Sequence, residues 1–256
     1  MLLRRIIAHF RKQEWTAIGI DFLIVVLGVF IGIQVADLNT SRQERELGDF
    51  YLQRIADDVR NDVAALENNI RAWREEARQA EIIIDYLRDG DLRGRTEWEM
   101  FARIYYDAGW IPFVPNTTAY EELRSTSQLR LIDNPDLRLD IGAYYATLAE
   151  FRPFYAFDTP LREAVRSKYP PGPQRYFWAT CFSEENYRQS RDGRTNCPPF
   201  EDRAVVTRTL STLRSDADLL EAMQYTVAIR LVAIESAATD LARANELVAR
   251  MEDHLR

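Results

Sequence analysis

The sequence contains very little histidine, cysteine, glycine or proline. Its two histidines, His9 and His254, lie at opposite ends of the 256 residues, which argues against histidine-based catalysis and histidine metal sites. Ten glycines and ten prolines are too few for a collagen-like or low-complexity chain, and an apolar content of 46% is typical of a folded protein. We therefore expect one sizeable domain, or one domain with appendages.

The chain also lacks the signatures of common enzymes and of nucleic-acid-binding proteins. A formal charge of −7 and a pI of about 5.1 do not provide the basic surface that binds nucleic acid. The patterns G-x-x-x-x-G-K-[ST], G-x-G-x-x-G, G-x-S-x-G and H-E-x-x-H are missing. Adjacent acids such as Glu75 and Glu76 face different sides of a helix and indicate a solvated surface. We predict a non-enzymatic protein without cofactor, metal or nucleic acid, although a carboxylate hydrolase assembled by the fold stays open.

The longest apolar run lies near the start, at residues 15–36. Its 22 residues contain one ionisable side chain, Asp21, and as a helix they span roughly 33 Å, which matches a membrane's hydrocarbon layer. A cleaved signal peptide has a shorter apolar region, and the sequence QVA at the end of this run fits a cleavage site poorly. We predict an uncleaved transmembrane helix over 15–36, preceded by a basic amphipathic segment over 1–14. A frayed basic tail that only sets the orientation of the span is the alternative for residues 1–14.

The charges on either side of this run predict its direction. Residues 1–14 carry four basic side chains against one acid, whereas residues 37–50 carry four acids against two arginines. By the positive-inside rule the N-terminus is cytoplasmic, and the body beyond residue 36, with a formal charge of −9, is exported. The residues assigned to orientation and to the membrane interface are Arg4, Arg5, Arg11, Lys12 and Trp15.

Three residues inside the span suggest packing against another helix. Gly28 and Gly32 form a G-x-x-x-G spacing, which allows close approach of a second helix. Asp21 is costly in lipid unless it reaches the interface or meets a polar partner, and both explanations stay open.

Two long apolar repeats at opposite ends of the chain predict the fold class. After Ser41-x-x-Glu44, which resembles a capping box, apolar residues recur every three or four positions as far as Leu87, and Gly90 and Gly94 end the pattern. A matching repeat follows the motif Ser215-x-x-Asp218, which predicts a helix cap at Ser215. We predict an all-α protein: a transmembrane helix, then a long antiparallel, coiled-coil-like hairpin made of a stalk helix (37–95) and a C-terminal helix (215–256). A parallel homo-oligomer through either repeat is the alternative. The second repeat consists of Leu220, Met223, Val227, Leu231, Ile234, Ala238, Leu241, Ala244, Val248, Met251 and Leu255.

For the region between the repeats, residues 96–214, we predict a cap of short helices with an irregular loop at 169–200. It holds 20 of the 29 aromatic residues. Packing between short helices is the commoner cause of such density, and a ligand pocket or a partner-binding face stays open. The predicted helix starts are Thr96-x-x-Glu99, Thr118-x-x-Glu121, Asn134-Pro135 and Thr159-Pro160.

The two cysteines, Cys181 and Cys197, lie inside the predicted loop, 16 positions apart. In an exported domain an isolated pair predicts a disulfide. Closing a loop of that size contributes roughly 3 kcal/mol in the chain-entropy model.

The start of the chain resembles an uncharacterised family of proteobacterial proteins. The similarity is carried by MLLRRIIAHFRKQEWTAIGIDFLIVVLGVFIGIQVADLNTSRQ at residues 1–43 and, more loosely, by PNTTAYEEL at 115–123 before a Ser/Thr-rich turn. Members of that family begin with a short basic helix and an Asp-containing span, and continue into a helical region. The resemblance implies a bacterial inner-membrane protein with a periplasmic helical domain, and it implies no activity.

Together these features predict an accessory or scaffolding subunit of a larger membrane complex, whether bioenergetic, photosynthetic or transport-related. Its expected partners are the lipid bilayer and either other membrane subunits or further copies of the chain. The alternative is a periplasmic binding module that senses a small ligand and signals through a partner protein.

Overall fold

A computed structural model describes residues 15–110, 112–155, 160–181 and 197–256, with residues 15–19, 21 and 151–155 described by their backbone alone. Across these residues every regular element is a helix and there is no strand. The predicted all-helical class is therefore confirmed for the described part.

The first helix, α1, runs without interruption through Trp15–Asp89. Its 75 residues make a rod of about 110 Å. The prediction of a cap at Ser41 is wrong, because Ser41 lies inside α1. No proline or glycine separates residue 36 from Gly48, and the Arg42–Glu46 pair at 3.0 Å supports the helix across this stretch. The helix ends where Gly90 adopts a φ of +84°.

The last helix, α8 (Ala217–His254), packs along α1 in the antiparallel sense. Glu252 contacts Arg60 at 2.8 Å, and Arg230 lies 3.5 Å from Glu76. The end of α8 therefore lies beside the residue-60 level of α1 and does not return to Ser41. The cap is Asp216, whose side chain accepts from the Leu219 amide, and not Ser215.

The packed face of α8 holds most of the predicted apolar repeat and polar residues in addition. Leu231, a predicted member, is 54% exposed, whereas the polar side chains of Thr226, Arg230 and Asp240 are buried. The other ten predicted members are buried or pack against a hydrophobic cluster, so the repeat marks the packed face but omits its buried polar residues. Its buried residues are Leu219, Met223, Thr226, Arg230, Ala233, Ile234, Ala237, Asp240, Ala244, Leu247 and Met251.

Short helices fill the space between α1 and α8. In chain order they are α2 (Glu97–Asp107), α3 (Thr118–Ser125), a 3-10 turn (Leu129–Leu131), α4 (Pro135–Tyr155), α5 (Pro160–Arg166), α6 (Pro171–Tyr176), which continues into a π-helical turn (Phe177–Cys181), and α7 (Arg203–Arg214). Part of the predicted irregular loop at 169–200 is therefore helical.

The predicted helix starts have different outcomes. Thr96 and Glu99 form the expected capping box, and Asn134 accepts from the amides of residues 136 and 137. The helix predicted at Thr118 begins there, but the predicted capping box is absent, because the N-cap is Thr117 and its side chain makes no capping bond. Thr159 lies outside the described residues.

The buried apolar residues form two clusters along α1. The proximal cluster packs residues 52–73 of α1 against α3, α4 and the C-terminal half of α8. The distal cluster packs residues 80–87 of α1 against α2, α5, α6, α7 and the start of α8. The rings of Phe101, Tyr105, Tyr169 and Phe177 are buried against one another in the distal cluster, so these aromatics form core.

Candidate functional site

The predicted span is a bare helix. Every described side chain between residues 22 and 40 is exposed, and an 18-residue window of this part of α1 has a mean hydropathy of 2.1 with none buried. By length and composition this part of α1 is able to cross a membrane. Side chains added at Gly28 or Gly32 would meet nothing within 4 Å, so the structure leaves the glycine face open.

Several predicted residues lie outside the described part of the chain. Arg4, Arg5, Arg11 and Lys12 are among them. The backbones of Trp15 and Asp21 belong to α1, but their side chains are not described.

The predicted disulfide between Cys181 and Cys197 is present, with the two Cα atoms 5.2 Å apart. It ties the π-helical turn to the segment that leads into α7. The indole Nε1 of Trp98 donates to the carbonyl of Cys197 at 2.9 Å, which attaches this junction to α2.

A groove of about 330 Å³ lies between α4 and α8. At one end Arg250 pairs with Asp140, and further along α8 Arg243 lies 3.6 Å from the buried Asp240. The groove therefore has cationic and anionic groups on a partly apolar floor, a mixture that suits a small polar molecule. Its lining residues are Asp140, Ala143, Tyr144, Thr147, Arg243, Glu246, Leu247 and Arg250.

A buried carboxylate lies behind the inner wall of this groove. Asp62 is completely buried on α1; its Oδ1 accepts from the backbone and side-chain nitrogens of Asn116 at 2.8 Å each, and its Oδ2 accepts from the Tyr144 hydroxyl at 2.9 Å. Burial raises the pKa of Asp62, and the hydrogen bonds from Asn116 and Tyr144 oppose that rise. Burial and the nearby Asp62 raise the pKa of Tyr144. Tyr144 therefore remains protonated and donates to Asp62 while its side chain lines the groove.

A second buried network joins three helices at Arg230. Its Nη1 donates to Asp107 Oδ2 at 2.8 Å and its Nη2 to the Asp107 carbonyl at 2.7 Å, while Glu76 of α1 lies 3.5 Å away. Burial alone would lower the pKa of Arg230, but the carboxylates of Asp107 and Glu76 more than offset it, so the net shift is upward. The guanidinium is thus a fixed charge that links α8 to α2 and α1.

These polar residues were not predicted from the sequence. One signal was available for Arg230, because it is the only charged residue between positions 225 and 234. An isolated charge in an apolar helical stretch is more consistent with a buried pair than with a solvated face. Asp62 follows other acids on α1 and gave no comparable signal.

Within the described residues, no group of three or more histidine, cysteine, aspartate or glutamate side chains is placed to hold a metal ion. The candidate functional features of the described residues are the groove, the two buried polar networks and the exposed apolar span.

These features define a class: helical proteins with one candidate membrane span that continues into the core of the folded domain. The chain belongs to DUF6090, a family of unknown function, whose sequence model matches residues 21–167. The match covers most of α1 and all of α2 to α5. No curated protein and no solved structure was found to match the chain.

Proposed function

We propose that this chain is a single-pass protein of the bacterial inner membrane, with a cytoplasmic N-terminus and a periplasmic helical body. In this proposal it is non-enzymatic and serves as an accessory or scaffolding subunit of a larger membrane complex. The supporting observation is that the bare apolar helix at residues 22–38 and the central helix of the domain are one unbroken α1. A rigid helix of this kind holds the body at a fixed height and rotation relative to the membrane.

The phase of α1 supports a partner helix on the glycine face. Since 18 residues make five turns of 3.6, Glu46 and Phe50 lie directly above Gly28 and Gly32, and both are exposed. The buried Ile55 is 27 residues, or seven and a half turns, beyond Gly28 and so lies on the opposite side of α1. A neighbouring helix is therefore able to pack on the glycine face without meeting the domain.

The membrane orientation is tested with the native cysteine pair. Intact cells are treated with a membrane-permeant maleimide, without and with a prior reductant. We expect Cys181 and Cys197 to be alkylated only after reduction, because export allows their disulfide to form. Alkylation of both thiols without reductant would contradict the periplasmic location.

The assembly role is tested by purifying the chain from its native membrane in mild detergent. We expect defined partner subunits with the wild type, and at least a tenfold lower yield of them with Gly28→Ile/Gly32→Ile. Val26→Phe adds volume on the opposite face of the span and serves as the matched control, with an unchanged yield. Recovery of monomer alone from wild-type membranes would overturn the proposal, and recovery of further copies alone would replace it with a homo-oligomer.

The groove between α4 and α8 supports the second candidate function, a ligand-binding module that signals through a partner. The probes are amino acids and four- to six-carbon dicarboxylates, added at millimolar concentration to the full chain in detergent. A specific ligand should raise the melting temperature of the wild type and not that of Thr147→Ile, which narrows the groove. The absence of any shift across the set would count against this candidate.

A further inference from the structure

The outer face of α8 carries an apolar patch whose large side chains are about half exposed. We define the outer patch as Tyr225, Ala228, Leu231 and Val232. The three large side chains are 52%, 54% and 45% exposed, and Ala228 is exposed as well. A helix that is apolar around most of its circumference is normally buried on all sides. We propose that the outer patch binds an amphipathic helix of a partner subunit that carries a basic residue at each end of its apolar stripe, an inference that rests on the proposed accessory role.

Lipid does not reach the outer patch. Arg230 belongs to the part of α8 that carries the outer patch, and it lies 3.5 Å from Glu76 of α1. Glu76 is forty residues beyond Ala36 in the unbroken α1, which places the patch about 60 Å from the end of the span. The headgroup layer extends only about 5–8 Å beyond the hydrocarbon. The occupant is therefore a protein.

The charges at the two ends of the patch disfavour a second copy of this chain. Glu221 and Glu235 lie seven residues before and after Ala228, on the same side of α8, and both are exposed. A parallel pair of α8 helices in register at Ala228 would place each glutamate against itself. An antiparallel pair centred there would place Glu221 against Glu235. Either arrangement brings like charges together, which is unfavourable.

The same two glutamates define the partner that fits. Neither Glu221 nor Glu235 forms an ion pair with any residue that the structure describes. They are 14 residues apart, about 21 Å along the helix. A partner helix with an apolar stripe of about three turns, and a lysine or arginine at each end, would cover the patch and neutralise both acids.

The test is site-specific photo-crosslinking with the full chain in its native membrane. The photoreactive residue p-benzoylphenylalanine replaces Ala228 at the centre of the patch, and in the matched control it replaces Ala242, an exposed alanine of α8 outside the patch. Irradiation should link position 228 to a partner subunit at least tenfold more efficiently than position 242. Mass spectrometry should find lysine or arginine on both sides of the linked apolar segment.

Charge reversal tests the acidic ends. We expect Glu221→Lys/Glu235→Lys to lower the yield of the position-228 product at least tenfold, and Glu67→Lys on the exposed side of α1 to leave it unchanged. Melting curves and the intact Cys181–Cys197 disulfide show that each variant is folded.

The outcomes separate this inference from the proposed function. A product of twice the chain mass, a link to lipid, a segment without basic ends, or a yield that survives charge reversal would each overturn the inference. If partner subunits co-purify but do not link to position 228, the patch assignment fails and the accessory role stands. If no partner co-purifies, both fail.

Discussion

At Gly48 the backbone of Leu131 lies so close to α1 that no side chain fits between them. A Cβ atom there would lie 2.1 Å from the carbonyl oxygen of Leu131 and 3.0 Å from its carbonyl carbon. Gly48→Ala must therefore push the turn at Leu129–Leu131 away from α1. We expect a loss of about 1–3 kcal/mol in the free energy of unfolding, the usual cost of overpacking. Urea unfolding of the full chain in detergent measures it.

The matched control is Gly142→Ala in α4. The nearest atom to a Cβ there is the Tyr120 hydroxyl, at an ordinary 3.9 Å. This substitution should stabilise the chain by up to about 1 kcal/mol, because alanine has the higher helix propensity. If Gly48→Ala stabilised the chain as much as Gly142→Ala, the close contact with Leu131 would be disproved.

Asp62 makes the stability of the fold depend on pH in an unusual direction. Burial raises its pKa, so between the ordinary value and the raised one the folded chain keeps a proton that the unfolded chain has released. The free energy of unfolding contributed by this group therefore falls as pH rises through that window. We expect the wild type to lose stability relative to Asp62→Asn from about pH 4 upward, and the difference to level off above the raised pKa. Urea unfolding between pH 4 and 8 measures this difference.

Tyr144→Phe provides the companion measurement. It removes a hydrogen bond that favours the carboxylate, so the pKa of Asp62 should rise further. The decline in stability should then extend to higher pH. A difference between wild type and Asp62→Asn that does not change with pH would contradict the raised pKa.

At the scale of elements, the structure assigns helix starts differently from the sequence motifs. Ser41 lies within α1, whereas Asp216 caps α8 by accepting from the Leu219 amide and also pairs with Lys168. Ser41→Ala should change the free energy of unfolding by less than about 0.5 kcal/mol. Asp216→Ala should cost about 1 kcal/mol or more. Thermal or urea unfolding compares the stabilities of the two variants. A loss of about 1 kcal/mol for Ser41→Ala would instead support a capping role for Ser41.

The apolar repeats predicted the packed faces of α1 and α8 but missed the buried polar residues, for a physical reason. On α1 the buried face consists mainly of apolar residues at three- and four-residue spacing, such as Leu52, Ile55 and Trp73. On α8 the buried face also includes Arg230, which pairs with the distant Asp107, and Asp240, which lies 3.6 Å from Arg243 of the same helix. Periodicity detects apolar residues and assigns such polar ones to solvent.

The candidate sites also differ in whether the sequence could predict them. The span and the disulfide followed from local features, namely an apolar run and an isolated cysteine pair. The groove and the Asp62 network arise where α1, α4 and α8 meet, and Asn116 and Tyr144 reach Asp62 across 54 and 82 positions of sequence. No local pattern brings such residues together.

At the scale of the whole molecule, the Arg230 network lies at the junction of the two apolar clusters. Glu76 stands on α1 between Trp73, in the proximal cluster, and Ala80, in the distal one. Asp107 is at the end of α2, which belongs to the distal cluster. The buried ion pair therefore couples the proximal and distal clusters, which are otherwise connected mainly by α1 and α8.

Arg230→Met tests this coupling. It leaves the carboxylate of Asp107 buried without its guanidinium partner, which should cost about 3–5 kcal/mol. Arg230→Met/Asp107→Asn removes the buried charge as well and should recover at least half of that loss. In the single variant, amide hydrogen exchange should accelerate first in α2 and α7 and only later in α4, because the distal cluster loses its attachment to the proximal one. Equal acceleration in α7 and α4, or a single variant as stable as the wild type, would show that the two clusters are held together by α1 and α8 alone.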